Sequence, residues 1–144
     1  MKNRFILISF FSIVFSVLNF SIIAAEQFNF DVTEMIISEN GNKVYGYKKG
    51  TIKTDNGIII TADEFEYDKI LNILKAKGKV EIKDKLKDYI IFAEKITYLK
   101  SQEKIFTSGK TKALINSKYN FLTEDIIFLK DKMKLSSSKK AEII

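Results

Sequence analysis

Apolar and polar positions alternate along most of this chain, and the alternation is written four times. In residues 58–82, Ile58 and Ile60 alternate into Ala62, and the phase then slips by one residue and restarts at Phe65 and Tyr67. A polar turn follows, then Gly78, then a second alternation at Val80 and Ile82. Tyr89, Ile91, Ala93, Ile96 and Tyr98 repeat the phrase, with Gly109, Thr111 and Ala113 behind them. Tyr119, Phe121, Thr123, Ile126 and Phe128 repeat it again, ending in Ala141 and Ile143. Phe28, Phe30, Val32, Met35 and Ile37, followed by Gly50 and Ile52, are the first version. The starts at 28, 58, 89 and 119 lie 30, 31 and 30 residues apart. A fixed period of this size marks a repeat architecture, in which one unit cannot close a core alone and must stack on its neighbours.

A period of two predicts strands with one apolar face. Asn40-Gly41-Asn42 and Asp55-Asn56-Gly57 predict turns, because Asn and Gly accept positive φ at low cost. Residues 62–77 are locally ambiguous: they lack Gly and Pro, and Ala62, Phe65, Ile70 and Ile73 also fit a helical face. Their counterpart, residues 93–108, carries Thr97, Thr107 and Ser108, which weaken a helix. A strand, a turn and a returning strand fit both copies. The slip recurs after Val32, Ala62, Ala93 and Thr123. Side chains on a strand alternate strictly, so each slip predicts a bend or bulge. The prediction is an all-β fold: about four bent hairpins stacked into a folded, V-shaped or barrel-like sheet around one apolar interior. In the last unit Lys139 replaces the glycine, behind Ser136-Ser137-Ser138, which puts that unit's regularity in question and fits a chain that continues in a longer protein.

The first 25 residues read as an address. Lys2 and Arg4 precede an apolar run from 5 to 23 scattered with serines, and Ala24-Ala25 closes it. This is the pattern of a secretory signal helix cut after Ala25, leaving one domain at 26–144. An uncleaved anchor also fits, since a bilayer span needs about 20 residues. Either way the body lies outside the cytoplasm.

Composition narrows the chemistry. The chain has no Cys and no His, so disulfides, thiolate metal sites and imidazole catalysis lose their usual groups. The formal charge is +6. Without the leader, 22 basic side chains face 18 acidic ones, all the basic ones being lysine. Nucleic-acid readers favour arginine forks, so nucleic acid is not an expected partner. Asp63, Glu94 and Asp125 recur at the slips, with no placed partner for acid–base catalysis, and are expected to cap corners. Lys75, Lys77, Lys79 and Lys83 read as a solvated face, and Tyr67 and Tyr98 as rings turned inward with hydroxyls at a rim. The chain reads as a non-enzyme with no cofactor.

Two phrases carry a family resemblance: Ile60-Thr61-Ala62-Asp63-Glu64-Phe65-Glu66-Tyr67, and Ala76-Lys77-Gly78-Lys79-Val80-Glu81-Ile82. With their copies they resemble the organic-solvent-tolerance repeats of lipopolysaccharide-transport proteins. That family includes the LptA-like periplasmic bridge and the N-terminal periplasmic domain of LptD-like proteins. The opening Phe28-Asn29-Phe30-Asp31, close behind the leader, is similar to the LptD-like group. The resemblance covers about residues 28–143. It implies a twisted antiparallel β-jellyroll in the periplasm, associated with outer-membrane assembly. It also implies an interior that holds lipid A acyl chains, and docking to like domains, or to itself, through edge strands. The residues expected to line that interior are Ile60, Ala62, Phe65, Val80, Ile82, Ile91, Ala93, Ile96, Ala113 and Phe121. Burial of a methylene is worth roughly 0.8 kcal/mol, so a chain of about twelve carbons is held on the order of 10 kcal/mol before entropic costs. Two other readings stay open: a small outer-membrane β-barrel, and an envelope scaffold whose apolar side chains pack only on each other.

Overall fold

Each alternating phrase forms a strand, and each slip forms a crease. The computed structural model describes residues 28–144, and the leader read at 1–25 lies outside them. Twelve strands follow in order: β1 (Phe28–Ser38), β2 (Lys43–Thr54), β3 (Ile58–Ala62), β4 (Glu64–Asp68), β5 (Ile73–Asp84), β6 (Tyr89–Leu99), β7 (Lys104–Ser108), β8 (Thr111–Ile115), β9 (Tyr119–Thr123), β10 (Ile127–Leu129), β11 (Lys134–Ser136) and β12 (Glu142–Ile143). All pair antiparallel in one sheet. Residues 62–77 are strand, turn and strand, as the repeat comparison predicts.

The sheet is folded along a line that crosses β1, β2, β5 and β6 and passes between β3 and β4, β7 and β8, β9 and β10, and β11 and β12. On one side, the first limb, the order is the start of β1, the end of β2, β3, the end of β5, the start of β6, β8, β9 and β12. On the other side, the second limb, it is the end of β1, the start of β2, β4, the start of β5, the end of β6, β7, β10 and β11. Each of the four units therefore runs out along the first limb, crosses the crease, turns, and returns. The result is a twisted, V-shaped β-jellyroll whose order runs open from β1 to β11 and β12.

Strict alternation delivers the core. In the first limb Phe30, Ile52, Ile60, Ile82, Ile91, Ala113, Phe121 and Ile143 stand in one cross-strand row. In the second limb Ile37, Val44, Tyr67, Leu74, Tyr98, Ile105, Phe128 and Leu135 form the matching row. The limbs meet through edge-on rings, Phe28 on Tyr67 at 4.6 Å and Tyr89 on Phe128 at 4.8 Å.

The crease is built from small residues and acids. A Cβ on Gly50 would meet Val32 at 2.5 Å and the carbonyl of Asp31 at 2.8 Å, so the first unit folds tightly only with glycine there. Gly78 (φ +79) lies under the carboxylate of Asp63, and Gly109 (φ +81) under that of Glu94. The backbone also ties across the crease, Lys49 N donating to the Asp63 carbonyl (2.9 Å) and Asp63 N to that of Gly78 (3.0 Å). In the last unit Asp125 meets serines instead. It accepts from Ser137 Oγ (2.6 Å), Ser138 Oγ, and the backbone N–H of Ser138 and Lys139, both at 3.2 Å. Ser137 and Ser138 thus make the last corner that glycine makes elsewhere, and β12 returns to pair with β9.

The turns of the second limb stack as a ladder. Lys69 N donates to the carbonyl of Asn42 (2.8 Å), Lys100 N to that of Asn72 (3.2 Å) and Lys130 N to that of Glu103 (2.9 Å). Each unit's turn thereby satisfies a backbone carbonyl of the one before it.

Gly109→Ala is expected to lower unfolding free energy by about 1–3 kcal/mol, from the left-handed backbone and the clash with Glu94. Glu94→Ala in that background should recover only the clash, as read by urea unfolding. Asp125 is held below the ordinary carboxylate range by the Ser137 and Ser138 hydroxyls and then by backbone N–H groups. A depressed folded value means that its contribution is complete above the unfolded value, near pH 4, and is lost as pH falls through the lowered one. Asp125→Asn should therefore flatten the acid limb of stability against pH.

Candidate functional site

The ten residues expected to line an interior come together, because all share one phase of the alternation. Ile60, Ile82, Ile91, Ala113 and Phe121 belong to the first-limb row, while Ala62, Val80 and Ala93 lie beside the crease on the same limb. Phe65 and Ile96 face them from the second limb, joined through Ala76. Nine of the ten are buried and Phe121 is partly buried against the same cluster.

The second-limb row, with Val44, Leu74, Ile105 and Phe128 fully or nearly buried, completes the interior. The sequence reading left that row out of the lining, although it carries the same phase signal one half-unit further on. Along the middle of the stack these side chains pack on each other. At the two edges they do not. Met35 and Ile37 of β1 point to the inner face yet are 43% and 60% exposed, and Ile143 of β12 is 67% exposed. Among the described residues the apolar interior is thus continuous and ends uncovered at both edges of the sheet.

The rim opposite the crease is polar and, unusually, buried. Lys130 is 1% exposed. Its Nζ donates to the Tyr98 hydroxyl at 2.8 Å and contacts Glu103 Oε2. Tyr98 in turn donates to Glu103 Oε1 at 3.1 Å. Tyr67 makes the equivalent bond one unit earlier, to Asn72 Oδ1 at 3.1 Å. Both rings face inward and both hydroxyls bond to the rim turn, as the sequence suggested. Lys100, also buried, holds its Nζ 4.6 Å from the ring centre of Phe28. Lys87, from the first limb, donates to the Lys130 carbonyl of the second at 3.2 Å. Tyr89 completes the rim. Its hydroxyl is the one buried side-chain oxygen or nitrogen among the described residues with no hydrogen-bond partner, a state that costs about 1–3 kcal/mol. Burial raises its pKa strongly, and Asp84 and Glu103 add to the rise, so the phenol stays protonated and remains a donor. Sequence reading did not single out Tyr89, Lys100 or Lys130. The alternation with Ile91 and Ala93 already turns Tyr89 inward, but burial of Lys100 and Lys130 depends on the limbs meeting, which no local pattern records.

On the outer face of the second limb a groove of about 630 Å³ is lined by Tyr45, Tyr47, Phe106, Lys75, Lys77 and Lys95 among others. Lys75 and Lys77 pair there with Glu66 (3.2 Å) and Glu64 (3.3 Å), exposed ion pairs that contribute little. The solvated-face reading holds for Lys75, Lys77 and Lys79, while Lys83 is half-buried. Asp63, Glu94 and Asp125 sit at the crease. Among the described residues no helix is long and apolar enough to cross a membrane.

This geometry defines a class: the β-jellyroll of the LptA kind, a folded antiparallel sheet around a long apolar interior. No family model and no curated protein matches the chain. A solved structure does. LptH of Pseudomonas aeruginosa, described as the LptA-homologous periplasmic component of the conserved lipopolysaccharide transport device, superposes with a TM-score of 0.67. The match covers 83% of this chain and 94% of that one, at 12% identity. At that identity the likeness establishes the fold.

Phe128→Ala should destabilise by about 3–5 kcal/mol, because Phe128 is fully buried between the limbs. Ile143→Ala, on the open edge, should change stability by no more than about 0.5 kcal/mol. Urea unfolding of the two variants checks the contrast.

Proposed function

We propose that this protein is a non-catalytic carrier in lipopolysaccharide transport, working in the periplasm. Lipid A acyl chains lie between the limbs, against Ile60, Ala62, Phe65, Val80, Ile82, Ile91, Ala93, Ile96, Ala113 and Phe121. One observation supports this above others: the apolar interior runs unbroken from edge to edge and ends uncovered at both. A closed scaffold core has no reason to leave inward residues such as Ile37 in water. An interior open at its ends suits a conduit, in which a like domain adds its edge strand to β1 or to β11 and β12 and continues the trough. The resemblance of the repeat phrases and the LptA-like fold point the same way. A barrel made of the described residues fits poorly, because a barrel must close and their sheet runs open.

The interior is well filled along its middle, so a lipid is received by parting the limbs at the rim or by sliding in from an edge. The protein needs no reacting group for this. Transfer of methylenes out of water supplies the drive.

Photo-crosslinkers at Phe65 or Ile91 should label lipopolysaccharide in cells, and one at the outward Glu66 should not. Labelling confined to Glu66 would overturn the carrier reading and leave the scaffold.

A further inference from the structure

We propose that the rim around Tyr89, Lys87 and Lys130 is a headgroup site, which binds a phosphate oxygen of the amphiphile whose acyl chains lie between the limbs. This rests on the carrier reading above and names the chemistry by which it chooses its cargo.

Two lysines and a phenol of this rim come from both limbs, with Lys87 Nζ bonded to the Lys130 backbone carbonyl. Tyr89 and Lys87 come from the first limb and Lys130 from the second, and the ring of Phe128 lies edge-on to Tyr89. The Tyr89 hydroxyl is buried and unpartnered, a donor fixed beside the line along which the limbs part. Lys130 is a fully buried ammonium, a residue type almost never found so deep unless paired. Its repeat counterpart Lys100 is buried too, while Lys69, one unit earlier still, is exposed. The basic, buried character therefore begins in the unit that Tyr89 opens and continues in the next, and is not a by-product of the repeat.

The nearby carboxylates are already committed. Asp84 Oδ1 accepts from the backbone N–H of Leu86 (2.9 Å) and Lys87 (3.0 Å), closing its own turn. Glu103 is shared between Lys130 and Tyr98. The rim turns at 84–88, 100–103, 116–118 and 130–134 carry seven lysines against four acids. Surplus positive charge on the rim turns and a buried phenol donor favour an oxyanion over a neutral sugar hydroxyl. When an acyl chain parts the limbs, the bond from Lys87 to the Lys130 carbonyl opens. A phosphate oxygen then takes Lys87, shares Lys130 with Glu103, and gives the Tyr89 hydroxyl the acceptor it lacks.

The test compares bisphosphorylated hexa-acyl lipid A with the same lipid after removal of its phosphates. Each competes against a fluorescent fatty acid for the full folded chain. The wild-type protein should bind the phosphorylated form about tenfold more tightly, a difference of about 1.4 kcal/mol. Tyr89→Phe, which keeps the ring and its packing, should narrow that ratio several-fold. Lys130→Met with Glu103→Gln, which leaves no lone buried charge, should nearly abolish it, while affinity for the dephosphorylated lipid is kept. Inorganic phosphate alone, at millimolar concentration, should not shift the Tyr89 ring resonances, because the site forms around a tethered head. A shift would overturn the headgroup assignment in favour of a free-anion site. A wild-type ratio near one, or a ratio unchanged in both variants, overturns the proposal and leaves the carrier reading standing. Failure of both lipids to displace the probe overturns both.

Discussion

Side chains on a strand point to opposite faces in strict turn, and this constraint governs everything in the molecule. A sheet bent sharply across its strands must break that alternation once per strand, at the same height in each. The chain does so with a bulge after Val32, a left-handed pair at Lys48 and Lys49, and glycines at 78 and 109. Because the breaks line up, one apolar face on the first limb becomes the facing apolar surface on the second. A break misplaced by one residue in a single unit would turn that unit's isoleucines out to solvent.

The same alignment determines what the crease holds. Acids at 63 and 94 lie over glycines, and the acid at 125 is gathered in by serines and backbone N–H groups. The sequence offers these carboxylates no partner for catalysis and points to corner capping. In the fold their oxygens serve the corner, where unit after unit needs the same polar patch over a backbone with no side chain. The opposite rim has no such uniformity. Its turns stack through one backbone bond per unit, yet its side chains differ from unit to unit, and there the buried lysines and the unpartnered phenol gather.

A stacked architecture leaves two free ends, and their chemistry connects fold to proposed role. The middle units cover each other. The first and last units carry inward residues that no other described strand covers. Ordinary edge strands are blunted with charge or proline to prevent pairing. Here β1 carries Met35, Ile36 and Ile37 exposed along its edge, which suits addition of a further like domain.

The repeat, its bent hairpins and the membership of the core were legible in the sequence. Period-two alternation, a one-residue slip and a 30-residue spacing are local signals that need no knowledge of neighbours. The ambiguous stretch at 62–77 yielded to comparison between copies, since a helix there was compatible with one copy and not with the other. Half of the interior went unnoticed as lining, the row from Val44 to Leu135, because alternation gives the phase of a strand but not which rows face each other across a fold. The last corner was also obscure, because Asp125 reaches Ser137 and Ser138, twelve and thirteen residues away, and only the return of the chain brings them together. Burial of Lys100 and Lys130 was decided by tertiary structure alone. A side chain at a turn reads as solvated until a second limb closes over it, and that closure is a property of the whole sheet.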